Sequence, residues 1–363
     1  MSFPSLAIGD LIVRTPIIQG GMGVGISLSG LAAAVAEAGG IGVIAAAGIG
    51  MDRPGYAQNF IEVNNQAMRD EIRAARARTS GAIGVNIMVA LTNYAEMVST
   101  AVKEGIDAIF SGAGLPLDLP SHLPEGVRTK LVPIVSSARA AVILCKKWLS
   151  RYGRTPDAFV VEGPLAGGHL GFKHGQLDDP AHALETLVPE VIEAVRPYQA
   201  PDGRPIPVIA AGGVFTGADI RKYIRLGAAG VQMGTRFVAT DECDADHAFK
   251  QAYVDAKPED IVIIQSPVGL PGRAIRNQFL DEVPEGKKRP KNCSYNCVHT
   301  CDEATAPYCI MMALMNAKKG RLKHGFAFAG ENAWRVEDIV PVGELMRSLE
   351  AEYDQAVADE AGA

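Results

Sequence analysis

Aromatic residues are scarce in this chain of 363 residues, at 6%, whereas glycine is abundant, with 39 copies. Hydrophobic residues make up 48% of the chain and charged residues 21%, which is the composition of a globular protein. A chain of this length accommodates one large domain, such as an α/β barrel with insertions, or two ordinary domains. The many glycines indicate many tight turns between strands and helices.

An excess of positive charge is also missing, because the formal net charge is -6 at pH 7. Binding to nucleic acid needs a basic face for the phosphates, so we expect no nucleic-acid partner. A basic run, EGKKRPK at 285–291, has no interleaved aromatic residues, and this pattern is typical of a solvated loop.

The start of the chain, MSFPSLAIGD, has neither the positive end nor the apolar core of a secretory signal. The longest apolar run, 28–51, contains Glu37 and is interrupted by Gly39 and Gly40. A membrane-spanning helix needs about 20 predominantly apolar residues in one element, so a helix followed by a strand explains this run better. We therefore expect a cytoplasmic protein without membrane attachment.

Short apolar runs alternate with longer helical patterns, which is typical of βα units in a parallel sheet. No dinucleotide-binding fingerprint follows the first run, because Ile26 occupies the position of the third glycine. Eight strands favour the α/β class and a (β/α)8 TIM barrel over an open doubly wound sheet. The predicted strands are 16–19, 41–45, 82–88, 108–111, 131–135, 158–161, 208–211 and 230–233, and the predicted helices between them are 29–38, 55–78, 94–104, 138–151, 181–196 and 216–226.

The alternation stops after residue 237. A helix at 241–257, a strand at 261–265, a segment rich in proline and charge, a helix at 310–319 and a closing helix at 342–357 follow. We therefore divide the chain into a barrel at 1–240, an insertion with a cysteine-rich segment at 241–325, and a segment at 326–363 that returns to the barrel.

The strongest functional signal is the stretch VVEGPLAGGHLG at 160–171, in which an acidic residue, several glycines and a histidine follow the end of a buried strand. Gly167 and Gly168 let a flat ring or an extended substrate approach the backbone closely. His169 is the leading candidate for proton handling, because the ordinary pKa of histidine, about 6.5, is close to the working pH. Glu162 either orients this loop or takes part in catalysis.

Nearly every predicted strand ends in small or polar residues. In a barrel the carboxyl ends of the strands form the active-site face, and the loops after the seventh and eighth strands commonly hold a phosphate. We therefore predict a phosphate site at the backbone N–H groups of Gly212, Gly213, Gly234 and Thr235.

Six motifs in a fixed order resemble one known family. This series, which spans roughly residues 10–280, resembles the FMN-dependent nitronate monooxygenases, formerly called 2-nitropropane dioxygenases, and equally their relatives, the flavin-type enoyl-ACP reductases. The motifs are PIIQGGM (16–22), GVNIM (84–88), SGAG (111–114), AGGHLG (166–171), PVIAAGGV (207–214) and QMGTRF (232–237).

The resemblance implies that residues 1–240 form a TIM barrel with FMN across its mouth. It implies that the flavin performs the hydride or electron chemistry while the protein orients the substrate and manages its proton. The implied site consists of Gly20, Gly21 and Met22 along the flavin ring, Asn86 at its polar edge, Glu162, Gly167 and Gly168 against the cofactor, His169 as the catalytic residue, and Gly212, Gly213, Gly234 and Thr235 around the phosphate.

Four of the six cysteines, Cys293, Cys297, Cys301 and Cys309, have the spacing C-x3-C-x3-C-x7-C. On one helix the first three would share a face. Four gathered thiolates suit a [4Fe–4S] cluster or tetrahedral zinc, and a small apolar cysteine patch is the third interpretation. A branch of the resembled family, the flavin acyl-ACP dehydrogenase/isomerases, carries an iron–sulfur cluster beside FMN, and this similarity favours the cluster.

Three functions remain open on the sequence. The first is an FMN oxidoreductase, with or without the cluster, that acts on an acyl thioester, either a small molecule or bound to an acyl carrier. The second is a nitronate monooxygenase that uses oxygen. The third, a flavin and iron–sulfur electron-transfer module, is disfavoured by His169, since an electron relay needs no residue that removes protons. A homodimer is compatible with each of them.

Overall fold

The computed structural model of the chain describes residues 3–290, 293 and 295–362. Apolar runs form strands where the sequence predicts them. In chain order, the strands are β1 (Leu6–Ile8), β2 (Leu11–Val13), β3 (Ile17–Gln19), β4 (Ile41–Ala45), β5 (Ala82–Met88), β6 (Ala108–Gly112), β7 (Lys130–Val135), β8 (Phe159–Glu162), β9 (Gly168–His169), β10 (Val208–Ala211), β11 (Gly230–Met233), β12 (Ile261–Gln265) and β13 (Pro271–Ile275).

Eight strands form a closed barrel in the order β3-β4-β5-β6-β7-β8-β10-β11. Every neighbouring pair is parallel, and the barrel closes where Gln19 of β3 pairs with Met233 of β11. These are the eight strands that the alternation predicts. The prediction of a (β/α)8 TIM barrel is therefore confirmed.

The barrel interior is filled by apolar side chains that alternate along the strands with residues facing the helices. Ile18, Val43 and Val160 belong to the interior cluster. Leu6 and Ile8 of the β1–β2 hairpin pack into the same cluster, and both are almost completely buried. The hairpin thus closes the end of the barrel opposite the carboxyl ends of its strands.

Several of the helices that surround the barrel begin directly after a residue whose side chain caps them. The second helix begins at Phe60, later than the predicted residue 55, because the side chain of Asn59 accepts a hydrogen bond from Glu62 N. In chain order, the α-helices are α1 (Ser29–Glu37), α2 (Phe60–Arg78), α3 (Tyr94–Lys103), α4 (Ala138–Tyr152), α5 (Leu184–Val195), α6 (Gly217–Arg225), α7 (Thr235–Val238), α8 (His247–Val254), α9 (Gln278–Glu282), α10 (Ile310–Lys318) and α11 (Val342–Gly362).

The chain after the barrel builds a second layer over its mouth. The predicted helix at 241–257 is shorter, because Asp246 caps α8 by accepting a hydrogen bond from Ala248 N. β12 and β13 form an antiparallel hairpin, and β9, which lies in the loop after barrel strand β8, joins it as a third strand. α11 then packs against α6 and α1 on the outside of the barrel. The division of the chain at residues 240 and 325 stays a prediction.

Crossing a bilayer requires a length and an apolar composition that none of the described helices combines.

Candidate active site

A large cavity opens at the carboxyl ends of the barrel strands and encloses about 1690 Å³, counting the space at its open mouth. Residues that are far apart in the chain meet there, because parallel strands all end at one face of a barrel. The cavity is lined by all twelve residues that the sequence predicts for cofactor binding or proton handling, which are Gly20, Gly21, Met22, Asn86, Glu162, Gly167, Gly168, His169, Gly212, Gly213, Gly234 and Thr235. Their individual roles stay predictions.

Two of these glycines leave no room for a side chain. A Cβ atom at Gly21 would lie 2.3 Å from Cβ of Asn86, and one at Gly167 would lie 2.5 Å from the carbonyl carbon of Ala329. Real Cβ atoms do not approach other heavy atoms this closely. The bare backbone at both positions keeps the cavity wall flat, which suits the close approach of a planar ring.

His169 belongs to the short strand β9, which pairs with β13 opposite Gly272. The imidazole Nε2 lies 2.7 Å from Oγ of Ser266, and the ring meets the ring of Phe328 edge-on at a centroid distance of 5.0 Å. Burial lowers the pKa of His169 to about 4. The imidazole is therefore neutral at pH 7, which is the form that can accept a proton.

Glu162 ends β8 and faces the cavity. Its carboxyl group forms no hydrogen bond or ion pair with another residue of the described ranges. Burial alone raises the pKa of this carboxyl to about 7. Near neutral pH the cavity thus contains a carboxyl group that is partly protonated and a histidine that is neutral.

Arg273 holds the loop that carries His169. It is a buried residue of β13, and its guanidinium donates hydrogen bonds to the carbonyl oxygens of Pro164 and Ala166, the latter at 2.8 Å. Its Nε lies 2.8 Å from a carboxylate oxygen of Glu331. Neither Arg273 nor Ser266 is among the residues predicted from the sequence. An arginine inside the short apolar run PGRAI was the one signal that marked Arg273 as unusual.

The cysteine-rich segment supplies an apolar wall of the same cavity. Val298 forms a bridge with Leu91, and both residues line the cavity. The first turns of α10 contribute Ile310, Met311 and Leu314. The cavity therefore joins a glycine-rich side, beside the barrel, to an apolar side built by the chain after residue 293.

The four clustered cysteines lie near one another at this apolar side. Burial, together with the neighbouring thiols of Cys309, Cys293 and Cys301, raises the pKa of the Cys297 thiol to about 12. The described residues between 293 and 301 form no helix. Among the described residues, no three His, Cys, Asp or Glu side chains are arranged to hold a metal ion. The predicted metal ligands thus share a neighbourhood without forming a ligand set there.

The sequence model of one family, described as nitronate monooxygenase, matches residues 5–352 of the chain. The chain belongs to the nitronate monooxygenase family. This confirms the resemblance that the six motifs indicated. Members of the family and the similar proteins below are oxidoreductases, and so is this chain.

Two proteins of similar sequence carry different functional names. A probable nitronate monooxygenase of Staphylococcus aureus is 28% identical over 311 residues, which cover 76% of this chain and 79% of that protein. A protein of Mycobacterium tuberculosis is 29% identical over 276 residues, which cover 76% of this chain and 67% of that protein. It is named (3aS,4S,5R,7aS)-5-hydroxy-7a-methyl-1-oxo-octahydro-1H-indene-4-carboxyl-CoA dehydrogenase.

Two solved structures share the fold over almost the whole chain. FabK from Thermotoga maritima superposes with a TM-score of 0.76 at 28% identity, and the match covers 96% of both chains. Nitroalkane oxidase from Streptomyces ansochromogenes superposes with a TM-score of 0.72 at 24% identity, over 96% of this chain and 98% of that one. The second likeness is one of fold alone.

Proposed function

We propose that this nitronate monooxygenase family member is an FMN-dependent oxidoreductase whose cavity holds the flavin and whose His169 handles the proton at a carbon next to an electron-withdrawing group. The observation that carries the proposal is the convergence of twelve predicted residues on one cavity. When bound, FMN supplies hydride or electron transfer, which protein side chains do not provide.

The cavity wall fits such a cofactor. Gly21 and Gly167 form a surface that a Cβ atom would fill, and this flatness favours a planar ring. Gly20, Met22 and Asn86 would line the ring. The phosphate would lie at the loops of Gly212, Gly213, Gly234 and Thr235, which follow the last two barrel strands.

His169 acts as the base towards the substrate in this proposal. Because its pKa is about 4, the imidazole is neutral at physiological pH and has one nitrogen free to accept a proton. The hydroxyl of Ser266 occupies Nε2. We therefore assign the proton transfer to Nδ1, with Nε2 donating to the Ser266 oxygen in the reactive tautomer. The same group returns the proton when the reaction runs in the other direction.

Acyl thioesters are the substrates that this site favours. The cavity wall includes the apolar residues Val298, Ile310, Met311 and Leu314. This wall suits a hydrocarbon chain better than a small nitronate, since a small nitronate would leave much of the apolar surface without a contact. The similar protein from Mycobacterium tuberculosis is named as a dehydrogenase of a carboxyl-CoA compound, which is a thioester. Oxidation of a nitronate by oxygen is the second candidate, and membership of the nitronate monooxygenase family supports it.

A [4Fe–4S] cluster on Cys293, Cys297, Cys301 and Cys309 is a further proposal, supported by their spacing and by the mutual influence of their thiols. The described side chains do not form the required ligand set. No step of the proposed reaction therefore depends on a cluster.

Purification without oxygen, followed by extraction of the cofactor and assay of iron and acid-labile sulfide, tests both cofactor proposals on one sample. We expect FMN close to one per chain. About four irons per chain would support the cluster, and iron-free active enzyme would remove it. Turnover is then compared between a crotonyl thioester with NADH or NADPH and a nitronate with oxygen. Activity on the nitronate alone would overturn the choice of substrate.

A further inference from the structure

Positive charge is concentrated in one part of this acidic chain. Residues 283–324 contain eight Lys or Arg and only three Asp or Glu, which gives a net charge of +5, whereas the remainder of the chain carries -11. A segregation of this size creates a local positive field on a molecule that is otherwise negative. The segment includes the cysteine-rich stretch and α10.

Four cations of this segment are exposed and unpaired. Arg289, Lys319, Arg321 and Lys323 are exposed, and none forms an ion pair within the part of the chain that the structure describes. We call them the cationic surface. The other described cations of the segment are neutralised by acids, namely Lys287 by Glu285, Lys288 by Glu282 and Lys318 by Asp52.

The cationic surface is built on packed elements. Arg321 and Lys323 belong to the turn around Leu322–His324, which packs against both α9 and α10. Asn277 fixes this turn by donating hydrogen bonds to the carbonyl oxygens of Leu322, at 3.1 Å, and Gly325, at 2.8 Å. Arg289 follows Lys288, which pairs with the last residue of α9. The charges are thus presented by an ordered framework.

The same framework forms a wall of the cavity. Met311 of α10 lines the cavity, and Lys319 lies eight residues later, which is about 12 Å along the helix axis at 1.5 Å per residue. Met312 is 46% exposed and lies seven residues before Lys319, so both are on the same outward face. A partner seated on the cationic surface would therefore contact Met312 and lie next to the cavity wall.

We propose that the cationic surface docks an acidic acyl carrier protein that delivers the thioester substrate to the cavity, an inference that rests on the proposed function. Exposed charges of one sign steer an oppositely charged protein and raise its rate of association. None of the four cations lines the large cavity. Four exposed cations outside the cavity, together with an exposed methionine, suit another protein's face, whereas a nucleotide such as that of CoA needs a concave site.

The test compares one charge reversal with a matched control. Arg321→Glu with Lys323→Glu removes half of the cationic surface, and Lys146→Glu with Lys147→Glu makes the same change in net charge on the exposed face of α4. Each protein is assayed with crotonyl groups on an acidic acyl carrier protein and on N-acetylcysteamine. We expect kcat/KM for the carrier-bound substrate to fall about tenfold in the first variant only, through KM. Activity on the small thioester should not change.

Binding of fluorescently labelled crotonyl carrier protein is measured at low and high salt. This measurement tests the docking surface independently of whether the protein turns over a thioester. Weaker binding in the first variant, with wild-type binding in the control, would support the surface even if no thioester were turned over. Equal binding in all three proteins would overturn it. An equal loss of kcat/KM with crotonyl-CoA would also overturn it, since the surface would then recognise a nucleotide.

Discussion

Nε2 of His169 lies 2.7 Å from Oγ of Ser266, although the two residues are 97 positions apart in the chain. Ser266 follows β12, outside the barrel, and the partner strand β13 pairs directly with the β9 backbone of His169. The barrel thus supplies the histidine, and the hairpin beyond it fixes the orientation of the ring.

Ser266→Ala is expected to lower kcat by about two- to tenfold while leaving FMN bound. A net hydrogen bond contributes about 0.5–1.5 kcal/mol, which corresponds to such a change when the imidazole must be held in one orientation. Steady-state kinetics and the flavin spectrum measure the two effects. Ser150→Ala on the exposed face of α4 serves as the control. Wild-type kcat in Ser266→Ala would show that the hydroxyl does not position the base.

The pH dependence of kcat/KM reports on the protonation of His169. Burial disfavours the imidazolium and lowers the pKa from 6.5 to about 4, so the reactive neutral form persists well below neutral pH. We therefore expect the protonation of His169 to lower kcat/KM only as the pH drops through about 4, which is measured in Glu162→Gln because Glu162 itself titrates near pH 7. A loss of activity centred near pH 6.5 in that variant would show that the imidazole is more hydrated than this structure has it.

Gly21→Ala tests the flat wall of the cavity. The added Cβ would meet the side chain of Asn86 at 2.3 Å, so the backbone or Asn86 has to move. We expect the affinity for FMN to fall at least tenfold, measured by titration of the apoprotein. Gly175→Ala is the matched control, because nothing lies within 4 Å of a Cβ at Gly175. Equal flavin affinity in both variants would place the cofactor elsewhere.

Arg273→Met removes the guanidinium that ties the His169 loop to β13. The carbonyl oxygens of Pro164 and Ala166 lose their donor, and Glu331 loses its partner. We expect a loss of stability of about 1–3 kcal/mol and a lower kcat. Arg276→Met is the control just beyond the end of the same strand, since Arg276 is exposed and its side chain pairs with Asp281. Thermal unfolding and kinetics of both variants measure the difference, and equal behaviour would contradict the role of Arg273.

The barrel was predictable because each βα unit repeats the same local pattern. Its strands are continuous apolar runs, and the glycines and polar residues that follow them meet at one face in any parallel barrel. This geometry explains why the twelve predicted site residues, from Gly20 to Thr235, line one cavity.

The residues that hold the His169 loop in place were not predictable in this way. Ser266 and Arg273 contact the loop of His169 across about a hundred residues of chain, and no periodicity links such positions. Boundaries were also imprecise where a capping side chain decides them, as Asn59 does for α2 and Asp246 for α8. The spacing of the four cysteines indicated a shared metal or cluster, but the described residues 295–309 form no helix, and spacing alone does not determine their path.

The most direct test of the account is the absorbance of the flavin after anaerobic mixing of substrate with the wild-type protein and with His169→Ala. Crotonyl carrier protein is mixed with the reduced proteins, and its saturated counterpart with the oxidised ones. We expect both proteins to carry FMN, and we expect the flavin absorbance to change at a catalytic rate only in the wild type. The same rate in both proteins, or no bound flavin in the wild type, would contradict it.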